Sequence, residues 1–505
     1  MANYEYQIID GKWHHKTMRK PAPSRIRHRA FAAANQDRLT ASFTGSALSP
    51  DEAIRRDLRK LRARSRQLCM DNDYAKKFLH MLQANVVGVN GIRLQARTTW
   101  PDGMADEEDN QVIEKAWAEW CRPRYCSANG RLSFRDSQRQ FITAVARDGE
   151  VLVRHIRDNG RTFAFGYALQ IIEADHLDEN YNRHLANGNR IVMGVELNQF
   201  DRPVFYHLFT RHPGDNAYLW GGKHYEKVPA SDIEHCFIVD RPGQNRGVPW
   251  MHTAIRRLNM LGGYEEAELV AARLGASKMG FYTSPDGSGA ALVDELGAEG
   301  VDYDDHDLIQ EAEPGLFETL PEGYGFQSFD PQHPTSAYGD FTKSVLRGAA
   351  SGLNVAYNSL ANDLEGVNFS SIRQGVLDER EQWRVLQGWM AEQFCAVVYE
   401  NWLPMALATQ KLPLPPDKMD KFKSVVWQPR GWDWVDPLKD SKAHETGIAN
   451  GTQTRAEILA AKGKDLRETF EQLKYEQDLA AEYGLQINAG KQQDMSNDTD
   501  DTEND

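Results

Sequence analysis

No run of 18 or more apolar residues occurs in the 505 residues, so no segment has the length and polarity of a membrane-spanning helix. The opening MANYEYQIIDGKWHH lacks the apolar core of a secretion signal, which leads us to expect a chain that stays where it is made. Cysteine is scarce. Cys69, Cys121, Cys126, Cys236 and Cys395 are odd in number and scattered, which fits reduced thiols in a cytoplasmic setting and not a disulfide frame. Cys121 and Cys126 have no second pair at matching distance, so no metal site is expected of them. The glycines of DRPGQNRGVPW, residues 240–250, are followed by no Gly-Lys-Ser/Thr, and no G-x-G-x-x-G occurs; an ATPase has no support.

What is present is an ordinary folded composition, 41% apolar and 26% charged, with length for roughly two to four domains. The net charge of −14 does not decide for or against nucleic acid. A surface that neutralises many phosphates holds DNA tightly, whereas a conduit along which DNA slides needs shallow binding everywhere. An acidic chain with a few placed cations suits the conduit.

Residues 336–403 organise the rest. From Tyr338 to Leu353 the apolar Phe341, Val345, Ala349 and Leu353 recur every four residues, predicting a helix with one apolar edge. Asn354, Asn358, Asn362, Asp363, Gly366 and Asn368 then crowd a stretch that reads as a loop, because these residues tolerate positive φ or bond to nearby backbone. Ser370 and Ser371 are candidate caps of a long helix whose face carries Leu377, Trp383, Leu386, Met390, Phe394, Val397 and Trp402. Taken as one helix, Leu377 to Trp402 runs roughly 40 Å.

Helix, amide-rich loop and Trp-bearing helix, together with VNFSSIRQGVLDER, DRPGQNRGVPW and GGYEEAELVAARLGASKMGF, resemble the lambda-type portal proteins of tailed phages over roughly residues 50–480. The resemblance implies an α+β portal fold with wing, stem, clip and crown parts, assembling as a ring of about twelve copies. It implies a basic N-terminal arm at 1–48, the first part of the wing at 49–248, a stem helix at 249–275, a clip at 276–335 and a second stem helix at 336–353. A tunnel loop at 354–369, the long wing helix with its return strand at 370–439, a crown at 440–487 and a disordered acidic tail at 488–505 complete the set. Such a ring passes double-stranded DNA at one capsid vertex of the virion, assembled in the host cytoplasm. Its partners are the terminase large subunit, head completion or tail connector proteins, and the major capsid and scaffold proteins, with no membrane and no cofactor. It makes and breaks no bond. On this likeness Asn354, Tyr357, Asn358, Asn362, Asp363, Glu365 and Asn368 face the channel, and Lys343, Arg347 and Arg373 stand nearest any cationic ring. The acidic run Asp302, Asp304, Asp305, Asp307, Glu311 and Glu313 is either a docking surface on the clip or a solvated loop.

Other segments carry expectations of their own. Residues 11–36 hold seven Lys and Arg and no acid, and with Pro21 and Pro23 read as an extended arm. Pro50 opens a helix whose arginines, from Arg55 to Arg66, surround the axis; a subunit interface facing acidic neighbours is the more economical account. RIVMGVEL and RPVFYHLF read as a hairpin joined by NQFD. Gly262 and Gly263, inside a helix from Trp250 to Gly275, suggest close packing or a bend. Glu173, Asp175, His176 and Asp178 could hold a divalent cation, though Glu173 and Asp175 alone share a strand face. The competing readings are therefore a metal-dependent nuclease or hydrolase using Glu173, Asp175 and Asp178, or a monomeric capsid adaptor. His207, His212 and His235 are expected to be structural.

Overall fold

The computed structural model describes residues 4–9, 12–17, 38, 45–215, 224–276, 280–283, 325–328, 337–365, 369–432, 437–462, 464 and 466–485. Within these, the side chains of 4–17, 274–276, 280–283, 325–328, 369–373, 437–440 and 461 are not described. The chain divides into two compact units, Met1–Ser49 and Pro50–Asp505.

In the first unit Tyr4–Ile9 pairs antiparallel with Lys12–Thr17. The alternating Tyr4, Tyr6 and Ile8 favour a strand, so a hairpin begins where an extended arm was expected. The basic residues of 18–37 lie outside the described residues.

The second unit is α+β. Helix Glu107–Trp120 starts at Asp106, whose side chain accepts from the Asp109 amide, and buries Ile113, Ala116, Trp117 and Trp120 along one face. Helix Phe134–Asp148 opens with a Ser133/Asp136 capping box and ends at Gly149, φ 92°, where a side chain would be strained and would also meet the Val248 backbone. These helices meet the long C-terminal helix in an aromatic core: Trp117 and Trp402 lie 5.1 Å apart, Phe141 and Phe394 4.4 Å.

Glu150–Arg157 is the central strand of three, between Ile233–Phe237 and Tyr167–Ile172. A five-stranded antiparallel sheet runs Tyr225–Pro229, Pro203–Phe209, Val195–Leu197, Arg190–Val192, Arg183–His184. RIVMGVEL is thus two strands and not one. Met193 (φ 46°) and Gly194 (φ 88°) turn the chain inside it, while NQFD makes the next turn as expected. Val425–Gln428 returns to pair with Arg93–Ala96.

The long helix begins at Phe369, passes through a π-helical turn at Ala391–Ala396 and continues to Ala408. The wider turn rotates the buried face. Met390 precedes the turn, Phe394 and Cys395 are buried within it, and Val398, Tyr399 and Trp402 follow it, while Val397, expected inside, is half-buried. In helix Tyr338–Leu353 the buried edge is Leu346, Ala349, Ala350 and Leu353, and Phe341 is 50% exposed against expectation. This helix packs on Ile255–Ala276, which follows a 3-10 turn at Trp250–Thr253. Tyr264 meets Tyr338 and Phe341, and the close approach falls at Gly348 under Arg257 and Gly352 under Thr253. Gly263 has open space beside it and Gly262 meets only the Asn72 side chain at ordinary contact distance, so the close packing suggested for them is not found. Gly280–Thr283 pairs with Gly325–Ser328, and the acidic run Asp302, Asp304, Asp305, Asp307, Glu311 and Glu313 lies outside the described residues. Helices Pro437–Ala449, Arg455–Ala461, with its Thr454/Glu457 capping box, and Leu466–Glu482 follow.

A buried ionic cluster ties these parts together. Glu150 accepts from Arg62 at 2.9 Å, from Arg246 at 2.6 Å, from the Gly247 amide at 2.9 Å, and lies 2.9 Å from His235 Nε2. Arg246 also donates to the carbonyls of Met193, Leu177 and Ala174. The turn DRPGQNRGVPW is therefore built inward around one guanidinium, a role its sequence did not reveal. Arg62 and Arg66, assigned to a subunit interface, face acids of their own chain: Arg66 reaches Asp148 at 2.8 Å and Asp175 at 2.5 Å. Burial pushes the Glu150 carboxyl up, but Arg246 and His235 outweigh it and hold it well below the usual carboxylate range.

Trp402→Ala should lower unfolding free energy by about 3 to 5 kcal/mol in urea titration, and Trp389→Ala, half-buried, by less. Glu150→Ala leaves the buried Arg246 guanidinium without a carboxylate and Arg62 with Asp175 alone, and should cost about 3 to 5 kcal/mol. Since the folded Glu150 pKa is depressed, its contribution is complete above the ordinary carboxylate range and lost as pH falls toward the folded value. Acid unfolding of Glu150→Gln should accordingly be less steep than that of the parent chain.

Candidate functional site

The amide-rich stretch is more ordered than a loop. Asn354 (φ 55°) ends helix Tyr338–Leu353 in the left-handed region, a five-residue helix Tyr357–Ala361 follows, and Asn362 (φ 53°) ends that one in the same way. Asparagine is suited to both positions. Leu360 is buried and pins the short helix to the core.

The polar side chains divide into those held and those presented. Glu379, on the long helix, accepts from the Ala356 amide at 3.3 Å and the Ser359 hydroxyl at 2.8 Å. Burial pushes its carboxyl up, and those two donors oppose the shift. Asn354 donates to Gln382 at 2.9 Å. The Tyr357 hydroxyl donates to Asp363 at 2.6 Å, which, with the Glu365 amide, holds the Asp363 carboxyl below its ordinary range. Lys343 bonds Glu365 at 2.9 Å and lies 3.7 Å from Asp363, and this pairing raises its pKa. The Arg347 guanidinium stands 5.3 Å from the Tyr357 ring centre. Asn362, Leu364 and Glu365 are exposed, and Asn358 is half-buried.

The structure therefore brings Lys343, Arg347, Tyr357, Asp363 and Glu365 together, with Asn354 and Asn358 beside them. Asn368 lies outside the described residues, and Arg373 falls on helix Phe369–Met390 with its side chain not described. Sequence reading missed Glu379, whose spacing from the amides gives no local signal. Lys343 was read as a channel cation, and its charge is met by two acids of the same segment. Exposed pairs of this kind contribute little stability and yield to salt.

The alternative site assembles differently from its expected form. Glu173, Asp175 and His212 bring ligand atoms within 4.8 Å of one another, because the chain leaves its strand at Ile172 and enters a 3-10 turn. Asp178 turns away to the Tyr225 hydroxyl and His176 to the Phe209 carbonyl. Arg62 and Arg66 already meet Asp175, and Arg147 lies 3.4 Å from Glu173, so the acids are neutralised by guanidiniums. His207 and His235 lie beside the buried Glu196 and Glu150, as expected of structural histidines. The Cys126 thiol, pushed up to about 12 by burial, is a poor metal ligand.

A family model described as phage portal protein, lambda family, matches residues 36–387. The chain is 39% identical to a probable portal protein of Halomonas phage phiHAP-1, over 88% of this chain and 85% of that protein. It is 22% identical to portal protein B of Escherichia phage lambda, over 85% of this chain and 86% of that one. Among solved structures it is similar to a chain from the neck of an empty gene transfer agent particle, at 15% identity over 85% of this chain and 98% of that chain, with a TM-score of 0.41. A chain from the neck of the native particle, computed with C12 symmetry, gives 13% identity over 85% and 98%, with the same TM-score.

Glu379→Ala should release the N-terminal end of the short helix. Amide exchange across 357–363 should quicken by about tenfold or more, while exchange in helix Phe134–Asp148 stays unchanged.

Proposed function

The chain belongs to the lambda family of phage portal proteins, and we propose that it is one subunit of a ring of about twelve copies surrounding double-stranded DNA. The observation that carries the finer reading is the docked segment 354–365, which ends one packed helix, hangs on another through Glu379 and Gln382, and presents Asn362 and Glu365 to solvent. Repeated around an axis, it forms a ring of amides and hydroxyls. Amides bond transiently to any phosphate, and Asp363 and Glu365 repel it. With Lys343 met by acids, Arg347 is the cation that the described residues 338–365 of each copy can offer, one phosphate neutralisation at most. Such a surface guides a sliding duplex without trapping it. The work is geometric and electrostatic, and no covalent chemistry is required.

In this reading the protein sits at one capsid vertex of the virion and nucleates procapsid assembly with the major capsid and scaffold proteins. The clip, 276–335, docks the terminase large subunit during packaging and then head completion or tail connector proteins, with Asp302, Asp304, Asp305, Asp307, Glu311 and Glu313 as the acidic docking face. The wing, stem, tunnel-loop and crown ranges assigned from the sequence are carried forward in the same sense.

Negative-stain images of the purified chain should show rings with a central hole; particles without an axial opening contradict the proposal. Arg347→Glu should leave ring formation unchanged and lower the yield of genome-filled particles by about tenfold, because each copy replaces one phosphate partner with a repelling charge. Normal filling by this variant would remove Arg347 from the channel.

A further inference from the structure

Residues 441–485 form three helices that do not bury a core. Among the described residues of this segment one side chain, Ala480, is buried. Helix Leu466–Glu482 is tied to the body at its first turn, through an Arg467–Glu107 ion pair and an Arg93–Glu468 contact of 3.7 Å. Further along, the face begun by Glu468 continues as Tyr475, Leu479 and Tyr483 at four-residue spacing, exposed by 61%, 38% and 73%. Along that apolar band run Glu471, Asp478 and Glu482, all exposed and with no ion pair among the described residues. Isolated helices of this length are marginal, and a helix earns its stability from packing an amphipathic face.

The neighbouring helices offer the opposite charge. Lys442 on helix Pro437–Ala449, and Lys462 and Lys464 just beyond helix Arg455–Ala461, are exposed and make no ion pair among the described residues; Ile458 and Leu459, a turn before Lys462, are half-buried. Within one copy these lysines do not meet the acids of Leu466–Glu482.

We propose that the acidic apolar face of helix Leu466–Glu482 docks on the surface formed by Lys442, Lys462 and Lys464 of a second copy of this chain. The contact joins two different surfaces, so it repeats head to tail around a ring. This inference rests on the ring reading and names the surfaces that close it at the C-terminal end. Tyr475, Leu479 and Tyr483 supply the apolar centre, and the lysine and carboxylate rows fix orientation and register.

Self-association of the full chain, measured by mass photometry across concentration and salt, tests it. Lys462→Glu with Lys464→Glu, and separately Glu471→Lys with Asp478→Lys, should each weaken association by about tenfold. All four substitutions in one chain should restore it to within about threefold of the parent, because the reversed face of each copy then meets a reversed face. Circular dichroism checks that each variant keeps its helices, and Tyr475→Ser with Leu479→Ser should weaken association at high salt as well. Unchanged rings in every variant, or a four-fold variant as weak as either pair alone, overturn the inference and leave the ring reading standing. A parent chain that does not associate at any concentration overturns both.

Discussion

The fold depends on a carboxylate with no access to water. Glu150 sits at the start of the central strand, and its two oxygens are shared among Arg62, Arg246, His235 and the Gly247 amide. The partners come from three elements: the Arg-rich helix Leu58–Asp71, the turn at 240–250, which supplies both Arg246 and the Gly247 amide, and the adjacent strand. Charges so buried are tolerated when every lone pair and proton is matched, and removing one member strands the rest. By carrying Arg246 to the carbonyls of Ala174, Leu177 and Met193 as well, the cluster fastens the two sheets to each other.

From that anchor the chain leads outward to helix Ile255–Ala276, whose partner Tyr338–Leu353 ends in the amide-rich segment. The contrast between the two regions is physical. Glu150 is fully desolvated and its bonds are strong, whereas the bonds around 354–365 are at or near the surface, where salt and phosphate compete. A rigid scaffold thereby presents a segment that can yield locally, which suits a surface that must release what it touches.

Much of the architecture was legible from local signals. The helix from Tyr338 to Leu353, the helix start at Pro50, the NQFD turn and the return strand at Val425 are all written in short-range residue choice. The family likeness was legible in ordered segments, and the match over residues 36–387 agrees with it. What escaped were features set by tertiary partners. The π-helical turn at Ala391–Ala396 moves the buried face by a fraction of a turn, which no periodicity reports in advance. Likewise Arg62 and Arg246 look like surface arginines until Glu150, far away in sequence, is brought between them. At the candidate site Asn354 and Asn362 take the positive φ that asparagine tolerates, while Asn358 lies in a helix, and the buried Leu360 and the Glu379 hook made an anchored helix of the expected loop.

The central claim is that segment 354–365 faces the duplex. A photoreactive amino acid at position 362, with a second at Phe200 as control, can be carried into particles and irradiated before and after genome filling. The account predicts a protein–DNA adduct at 362 that appears on filling and none at 200. An adduct at 200 with none at 362 would contradict it.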